Sequence, residues 1–338
     1  MSLPRWPHRC EAFACAIASA FCVLVLATGC AAPGPYGRPG ELSPRLGDEI
    51  VVAGQFFHTG TPVVLWLDPG GYDAYRAECK FDPNQLRPSK PVSDSPIRYS
   101  TFRRGLPEDV AARVREQGWD LPTLQAHVDQ FVYHYDACGT SRKCFDVLHD
   151  RRGLSVHFML DLDGTIYQTL DAKERAWHAG EANDRSVGIE IANIGAYRDM
   201  KVLDQWYGQD DEGRTIVTLP ADFGPTGIRT PDFVARPARE GVVEGAIHGR
   251  TLYQYDLTDE QYDALIRLTA ALCRALPRIT PDAPRDAEGN VRMDELSDQE
   301  LADFSGLLGH YHITKDKVDP GPAFDWERVI AGVRELLR

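Results

Sequence analysis

The chain has 338 residues, a formal net charge of −13, 43% hydrophobic residues and 26% charged residues. This length suits one large domain, or one domain with an appendage, that buries a full core without needing disulfides. The acidic balance excludes the basic surface that nucleic-acid binding requires, and its simplest interpretation is solubility.

The first thirty residues have the pattern of an export signal. Arg5 and Arg9 give a basic start, and residues 12–26 form an apolar run that only Ser19 interrupts. This run is too short to span a bilayer comfortably and has the length of a signal-peptide core. Small residues then precede Cys30, which resembles a bacterial lipobox. The alternative is an ordinary cleaved signal peptide with an incidental cysteine.

The lipobox predicts a signal peptide over residues 1–29 and a lipidated Cys30 at the mature N-terminus. Residues 31–47 are rich in Pro and Gly, which is typical of a flexible tether. Residues 30–47 would therefore join a lipid anchor to the domain. Because Ala31 follows the cysteine, we predict an outer-membrane lipoprotein that faces the periplasm and meets the membrane through its lipid alone.

Four further cysteines follow Cys30 in the sequence. An exported chain permits disulfides between them. Cys138 and Cys144 are close enough in sequence to close a small ring, and a Cys79–Cys273 pair is a second possibility. The alternative for both pairs is buried thiols.

Residues 48–105 are interpreted as an N-terminal extension rather than a separate domain. Within it, residues 50–67 alternate and are β-branched, which predicts a pair of strands turned at Thr59-Gly60. The rest of the extension is rich in turn-forming residues.

An α/β pattern occupies residues 106–338. A helix is predicted over 107–118, followed by a strand at 131–135. Asp163-Gly164 between two short apolar runs predicts a β-hairpin. Residues 186–192 predict another strand. Together these elements indicate an α/β domain.

Two polar insertions, at 196–250 and 280–305, interrupt this domain. Between them, Thr258–Gln261 has the pattern of a capping box that begins an amphipathic helix, and Pro277 stops it. Asp325 is predicted to cap a last helix.

Candidate metal ligands are His134, His310 and Asp319. Two imidazoles and one carboxylate form a suitable set for catalytic zinc, because they leave the fourth position for water. Zinc lowers the pKa of bound water to about 7, which supplies hydroxide at neutral pH. Spacing alone is a weak indication, since the first ligand is far from the other two.

Five blocks in order along residues 131–319 resemble the zinc-dependent N-acetylmuramoyl-L-alanine amidases, which share their fold with peptidoglycan-recognition proteins. The blocks are FVYHYDACG, SVHFMLDLDGTIYQTLD, RAWHAG, NDRSVGIEIAN and GHYHITKDKVDPGPAFDW. The resemblance implies an α/β fold with a central mixed β-sheet flanked by helices. It also implies one Zn²⁺ per chain, in a groove at one face of the sheet.

The resemblance assigns His134, His310 and Asp319 as zinc ligands, Glu190 as general base and acid, and Lys317 as the cation that stabilises the oxyanion. The implied reaction is hydrolysis of the amide between N-acetylmuramic acid and L-alanine, in peptidoglycan or muropeptides, by a zinc-activated water. A purely structural Glu190 is disfavoured, because a buried carboxylate without a partner is costly. The alternative for Lys317 is a plain surface lysine.

Further positions follow from the same resemblance. His157 and His178 match pocket histidines and are predicted to contact substrate, with core packing as the alternative for His157. Cys138 and Cys144 match a disulfide beside the first ligand in peptidoglycan-recognition proteins. His312 stands where the family often carries aspartate, which puts the local packing of that loop in question.

Two other functions stay open: a non-catalytic peptidoglycan-binding protein, and a zinc peptidase of the stem peptide. Non-catalytic relatives commonly lack the third ligand, whereas Asp319, Glu190 and Lys317 are all present here. The products distinguish the peptidase from the amidase. The predicted partners are peptidoglycan or muropeptides, and not nucleic acid.

Overall fold

The computed structural model describes residues 40–81, 84 and 95–338. The predicted signal peptide, Cys30 and the first part of the tether lie outside the described residues. The chain divides into two compact units, residues 1–44 and Arg45–Arg338. Of the first unit, residues 40–44 are described, and they contain no helix or strand. Among the described residues, none of the helices has the length and apolar character needed to cross a membrane.

The second unit contains strands and helices in mixed order. Its strands are β1 (Glu49–Val52), β2 (Gln55–His58), β3 (Val63–Leu65), β4 (Tyr99–Ser100), β5 (Gln130–Tyr135), β6 (Phe158–Leu160), β7 (Ile166–Gln168), β8 (Arg175–Ala176), β9 (Ser186–Ile191), β10 (Tyr207–Gln209), β11 (Thr215–Val217), β12 (Val242–Ile247), β13 (Arg250–Tyr255) and β14 (Gly306–Gly309). Its α-helices are α1 (Glu108–Gln117), α2 (Leu121–His127), α3 (Ser141–Phe145), α4 (Met200–Leu203), α5 (Asp259–Ala275), α6 (Asp298–Asp303) and α7 (Trp326–Leu337). Short π-helical and 3₁₀ segments complete it: Asp146–Arg152, Gly180–Asp184 and His310–His312.

A six-stranded sheet in the order β14-β5-β9-β6-β7-β3 forms the centre of this unit. β14, β5, β9 and β6 run parallel to one another. β7 is antiparallel to β6 and parallel to β3. The predicted hairpin at Asp163-Gly164 is therefore confirmed as β6–β7. The central mixed β-sheet flanked by helices is the fold class that the sequence predicted.

The two faces of the sheet have different partners, because successive side chains of a strand point in opposite directions. Tyr133 faces α5, where its hydroxyl lies 2.9 Å from Oγ1 of Thr269. His134 therefore points to the opposite face. Strand register places His134 beside Glu190, and Glu190 beside Met159. These three side chains are neighbours on the face away from α5.

The N-terminal extension adds the edge strand β3 to the sheet. The predicted turn at Thr59-Gly60 is wrong, because β1 pairs with β2 around Ala53-Gly54 while β3 pairs with β7. Ala53 and Gly54 both have positive φ angles, 50° and 73°. Two such residues form the turn whose twist matches a two-residue hairpin.

Both predicted insertions contain local secondary structure, and two helices begin with capping boxes. Residues 196–250 contain the hairpin β10–β11 and most of the hairpin β12–β13. In the second insertion, Ser297 caps α6 with Glu300. The capping box predicted at Thr258 is confirmed, since both of its hydrogen bonds to Gln261 are present at the start of α5.

Arg103 connects several segments of the chain through hydrogen bonds, although nothing in the sequence indicated this role. Its guanidinium is fully buried and contacts Nε2 of His157 at 3.3 Å. It donates to backbone carbonyl oxygens of residues from two separate segments: Ala172, Lys173, Glu174, Asn183, Asp184 and Ser186.

Replacing Arg103 with methionine is expected to lower the free energy of unfolding by at least about 4 kcal/mol, because it leaves several buried carbonyls without a donor. Urea denaturation measures this loss. Arg104→Ala is the matched control, since Arg104 is largely exposed and pairs with Asp184 at the surface. Its cost is expected to be about 1 kcal/mol or less. Equal costs for the two variants would contradict the role given to Arg103.

Candidate metal centre

His134, His310 and Asp319 converge on one point in the structure. Nδ1 of His134 lies 2.8 Å from Oδ2 of Asp319 and 3.0 Å from Nδ1 of His310. Nδ1 of His310 is 2.9 Å from the same carboxylate oxygen. All three residues are buried. The three predicted ligands, distant in sequence, are therefore brought together.

Strand order explains why these residues meet. β5 and β14 are parallel neighbours, with Tyr133 paired to Gly309. The residues that follow this pair, His134 and His310, therefore lie side by side at the same end of the sheet. The loop after the short 3₁₀ turn returns Asp319 to them, and the Tyr311 N–H donates to its backbone oxygen at 3.2 Å.

The geometry of the three atoms fits a metal ion better than a hydrogen-bonded cluster. If both imidazoles donated from Nδ1, their hydrogens would face each other between nitrogens 3.0 Å apart. If only one donated, a nitrogen lone pair would face the carboxylate. A cation accepts all three lone pairs. Tetrahedral zinc, with bonds of about 2.0–2.1 Å, separates its ligand atoms by about 3.3 Å, which needs only a small outward shift.

The protonation states of two of these groups also suit metal binding, which requires neutral imidazole and ionised carboxylate. Burial, with the nearby His310, lowers the pKa of His134 to about 4. Burial alone would raise the pKa of Asp319. The charge interaction with His310 and the hydrogen bonds with both imidazoles outweigh it and hold that pKa well below its usual value.

Glu190 stands beside this cluster on β9, paired in register with His134. Its side chain is partly exposed and lines a cleft of about 540 Å³ that also contains the three candidate ligands. Burial raises the pKa of Glu190 well above its usual value, and the carboxylates of Asp319 and Asp136 add to the shift. A raised pKa makes a carboxylate a stronger proton acceptor, which suits a general base.

Lys317 lies in the loop that carries Asp319 and lines the same cleft. It is exposed, and its backbone oxygen is 3.0 Å from Nε2 of His248. The positive charge therefore stands at a solvent-exposed part of the cleft wall, close enough to Glu190 to influence the pKa of that residue. This is where a negative charge developing on a bound substrate would need it.

His178 is also in the wall of the cleft. Its Nδ1 lies 3.2 Å from Nε2 of His134, and its Nε2 lies 3.4 Å from Oγ of Ser186. The ring packs directly over Gly188, where a Cβ atom would be only 2.5 Å from it. Glycine is therefore required at this position of β9 for the imidazole to reach His134.

His157 does not line the cleft, so its predicted contact with substrate is corrected. The side chain is fully buried. Its Nδ1 accepts from the Gly188 N–H at 3.1 Å, and its Nε2 lies 2.9 Å from the backbone oxygen of Glu174. With both nitrogens engaged inside the protein, His157 supports β9, which is the core role left open by the sequence.

The predicted disulfides are absent from this structure. Cys138 and Cys144 carry thiols. Burial and a hydrogen bond with the neighbouring Cys138 raise the pKa of the Cys144 thiol. A disulfide between the two residues stays a prediction. Cys273 also carries a thiol. It lies in the main core cluster, whereas Cys79 contacts the backbone oxygen of Asp150, so the second pair is not formed.

Several residues near the cleft were missed in the sequence. Trp177 and Asn183 line it, and the side-chain oxygen of Asn183 accepts from the backbone N–H groups of His178 and Ala179. Trp177 adjoins a predicted pocket histidine, which was an available signal. His312 is buried and stabilises the turn after β14, because its Nδ1 accepts from the Gly309 N–H at 2.9 Å.

The fold and the site together define an α/β protein with a candidate metal centre in a cleft at the carboxyl ends of parallel strands. The chain belongs to the N-acetylmuramoyl-L-alanine amidase family, whose family model matches residues 124–322. The family resemblance drawn from the five sequence blocks is thus confirmed.

The individual relatives share low sequence identity with this chain. The chain is similar to the 1,6-anhydro-N-acetylmuramyl-L-alanine amidase AmpD of Haemophilus influenzae, with 25% identity over 182 residues, or 54% of this chain and 59% of AmpD. It therefore spans less than two thirds of that relative.

Two solved structures are also similar. One is a selenomethionine derivative of AmpD (20% identity, 76% of this chain, 98% of that chain, TM-score 0.31). The other is AmiD from E. coli in complex with the substrate anhydro-N-acetylmuramic acid-L-Ala-D-gamma-Glu-L-Lys (18% identity, 61% of this chain, 57% of that chain, TM-score 0.34).

Proposed function

We propose that this protein is a zinc-dependent amidase that hydrolyses the bond between N-acetylmuramic acid and L-alanine in peptidoglycan or muropeptides. The observation that carries the proposal is the convergence of His134, His310 and Asp319 beside Glu190 in one cleft of a chain from the amidase family. The names of AmpD and AmiD, one of them with an anhydro-muropeptide substrate, support the substrate class.

The side chains divide the reaction among them. His134, His310 and Asp319 would hold zinc, which when bound polarises the amide carbonyl and makes water a stronger nucleophile. Glu190 takes a proton from the attacking water and returns it to the leaving amine of L-alanine. Lys317 places its ammonium group toward the oxyanion that forms on the carbonyl. His178 forms part of the wall against which the substrate lies.

The test is product analysis of a digest. Purified protein, loaded with Zn²⁺, is incubated with peptidoglycan and with soluble muropeptides, and the products are separated by mass spectrometry. Release of peptides with L-alanine at their N-terminus, together with peptide-free N-acetylmuramic acid, is the expected result. Cleavage only between amino acids of the stem peptide would identify a peptidase instead. Binding without any product would leave a peptidoglycan-binding protein.

We propose further that the protein is an outer-membrane lipoprotein facing the periplasm, anchored through Cys30. The support is the apolar run before Cys30, the small residues between them and the Pro- and Gly-rich tether. Metabolic labelling with an alkyne fatty acid tests this proposal. Labelled wild-type protein in the outer-membrane fraction and unlabelled Cys30→Ala are expected. Labelling that survives the substitution would contradict the assignment.

Replacing Gly188 with alanine is expected to lower turnover by about a hundredfold, because the new Cβ displaces His178 from the metal centre and small misplacements are costly. Initial rates at saturating muropeptide measure the effect. Gly208→Ala is the control, since its Cβ would meet only the hydroxyl of Thr218 in a hairpin outside the cleft. A Gly188→Ala protein with wild-type turnover would show that the position of His178 is unimportant.

A further inference from the structure

The contact between His178 and His134 places a second imidazole directly behind a candidate metal ligand. Nδ1 of His178 lies 3.2 Å from Nε2 of His134, and the two rings are nearly perpendicular, at 86°. Nε2 is the nitrogen of His134 that faces away from the metal site, because Nδ1 faces His310 and Asp319. His178 therefore contacts His134 on the side of the ring that faces away from the metal site.

The tautomer of His134 decides whether it can bind a metal at all. A neutral imidazole has one hydrogen, and a metal takes the lone pair of the nitrogen without it. Binding through Nδ1 therefore requires the hydrogen of His134 on Nε2. In the competing tautomer, Nδ1 carries the hydrogen and donates it to Asp319, 2.8 Å away. In that tautomer Nδ1 of His134 and Oδ2 of Asp319 are bonded to each other, so two of the three ligand atoms are not free to bind the metal. A hydrogen-bond acceptor at Nε2 keeps the hydrogen on Nε2 and so favours metal binding.

The surroundings of His178 make its Nδ1 that acceptor. When Nδ1 accepts, the hydrogen of His178 lies on Nε2, and the hydroxyl of Ser186 is there to receive it at 3.4 Å. Gly188 leaves room for the ring on one side. The backbone N–H of His178 is held by Oδ1 of Asn183 at 3.1 Å. One chain of hydrogen bonds thus runs from Ser186 through His178 to the metal ligand.

We propose that His178 is a positioning residue that accepts the Nε2 hydrogen of His134 and so holds this imidazole in the tautomer and orientation that bind zinc through Nδ1. Outer partners of this kind typically contribute 10–100-fold to metal affinity. The role rests on the zinc dependence in the proposed function, but it does not depend on the identity of the substrate. It differs from a contact with substrate, because it is exerted before any substrate binds.

The experiment measures the dissociation constant of Zn²⁺ for the metal-free protein, by competition with a chromogenic chelator and without substrate. His178→Phe keeps a ring over Gly188 but has no acceptor, and its affinity is expected to fall 10–100-fold. His178→Asn offers a carbonyl oxygen near the position of Nδ1, and its affinity is expected to stay within about threefold of wild type. Thermal unfolding of each metal-free variant establishes that it is folded.

Two further variants sharpen the comparison. Arg152→Ala removes an exposed side chain from the wall of the same cleft, and its zinc affinity is expected to equal that of wild type. Ser186→Ala removes only the outer end of the hydrogen-bond chain, so its loss is expected to be smaller than that of His178→Phe.

Either of two results would overturn the role. One is a folded His178→Phe protein that binds Zn²⁺ as tightly as wild type. The other is an equal loss in His178→Phe and His178→Asn, since that would attribute the effect to packing rather than to the acceptor. The amidase assay is independent of these measurements. Normal zinc binding without hydrolysis would refute the proposed function and leave the role of His178 intact.

Discussion

Replacing Asp319 with alanine is expected to remove bound zinc from the purified protein and to lower hydrolysis by at least about a thousandfold. Asp319 supplies the one ligand atom that lies within 3 Å of both imidazole nitrogens. Without it, His134 and His310 keep two ligand atoms, too few to hold the ion in a site with an open position. Metal content by mass spectrometry and initial rates measure the two effects.

Thermal unfolding gives the same variant a second measurement. Wild-type protein is expected to unfold at a higher temperature with Zn²⁺ than after chelation, because a ligand that binds only the folded state stabilises it. For Asp319→Ala the two temperatures should coincide. Asp316→Ala is the control, since this exposed carboxylate lines the same cleft but lies outside the ligand cluster. Full zinc content in Asp319→Ala would rule out the assigned ligand set.

Replacing Glu190 with glutamine is expected to separate metal binding from turnover. Glutamine preserves size and shape but cannot accept a proton, so turnover should fall by about 10²–10⁴-fold. Zinc content should stay at the wild-type level, because Glu190 is not one of the three converging groups. A variant that retained a tenth or more of wild-type turnover would exclude Glu190 as the general base.

The same substitution is expected to make the metal-free protein more stable at neutral pH. Burial and two neighbouring carboxylates raise the pKa of Glu190 in the folded state well above its usual value of 4.5. At pH values above 4.5 the carboxyl group ionises readily in the unfolded chain but less readily in the folded one, so it opposes folding, and neutral glutamine removes that cost. As the pH falls toward 4.5 the carboxyl group becomes protonated, so the difference in unfolding temperature should disappear. Glu190→Gln that is less stable at pH 7 would contradict this.

The central strands and the ligand set could be predicted because their signals are local and strong. His134 ends an apolar strand, Glu190 interrupts another, and Asp163-Gly164 has one favoured turn conformation. The position of these strands in one sheet followed from the family resemblance rather than from periodicity. The ligand set depended on the same source, because nothing in the spacing of His134 and His310 indicates that they meet.

The features that the sequence did not predict have a common cause: each depends on contacts between distant segments of the chain. Arg103 bonds to carbonyls of residues 172–186, and no pattern around residue 103 indicates this. His157 and His178 looked equivalent in sequence, but one is enclosed by Arg103 and Glu174 while the other reaches the cleft. A strand pair turned at Thr59-Gly60 agrees with the local sequence, but β3 pairs with β7 instead of with the preceding strand.

The edge strand β3 and the helix α7 both lie outside the region shared with the amidase family, residues 124–322. A protein shortened to that region would lose α7, whose Trp326 and Ile330 belong to the main core cluster. It would also expose the backbone of β7 along an open edge, which invites pairing between molecules. The folding unit is thus larger than the region that matches the family, and attempts to produce that region alone should give insoluble material.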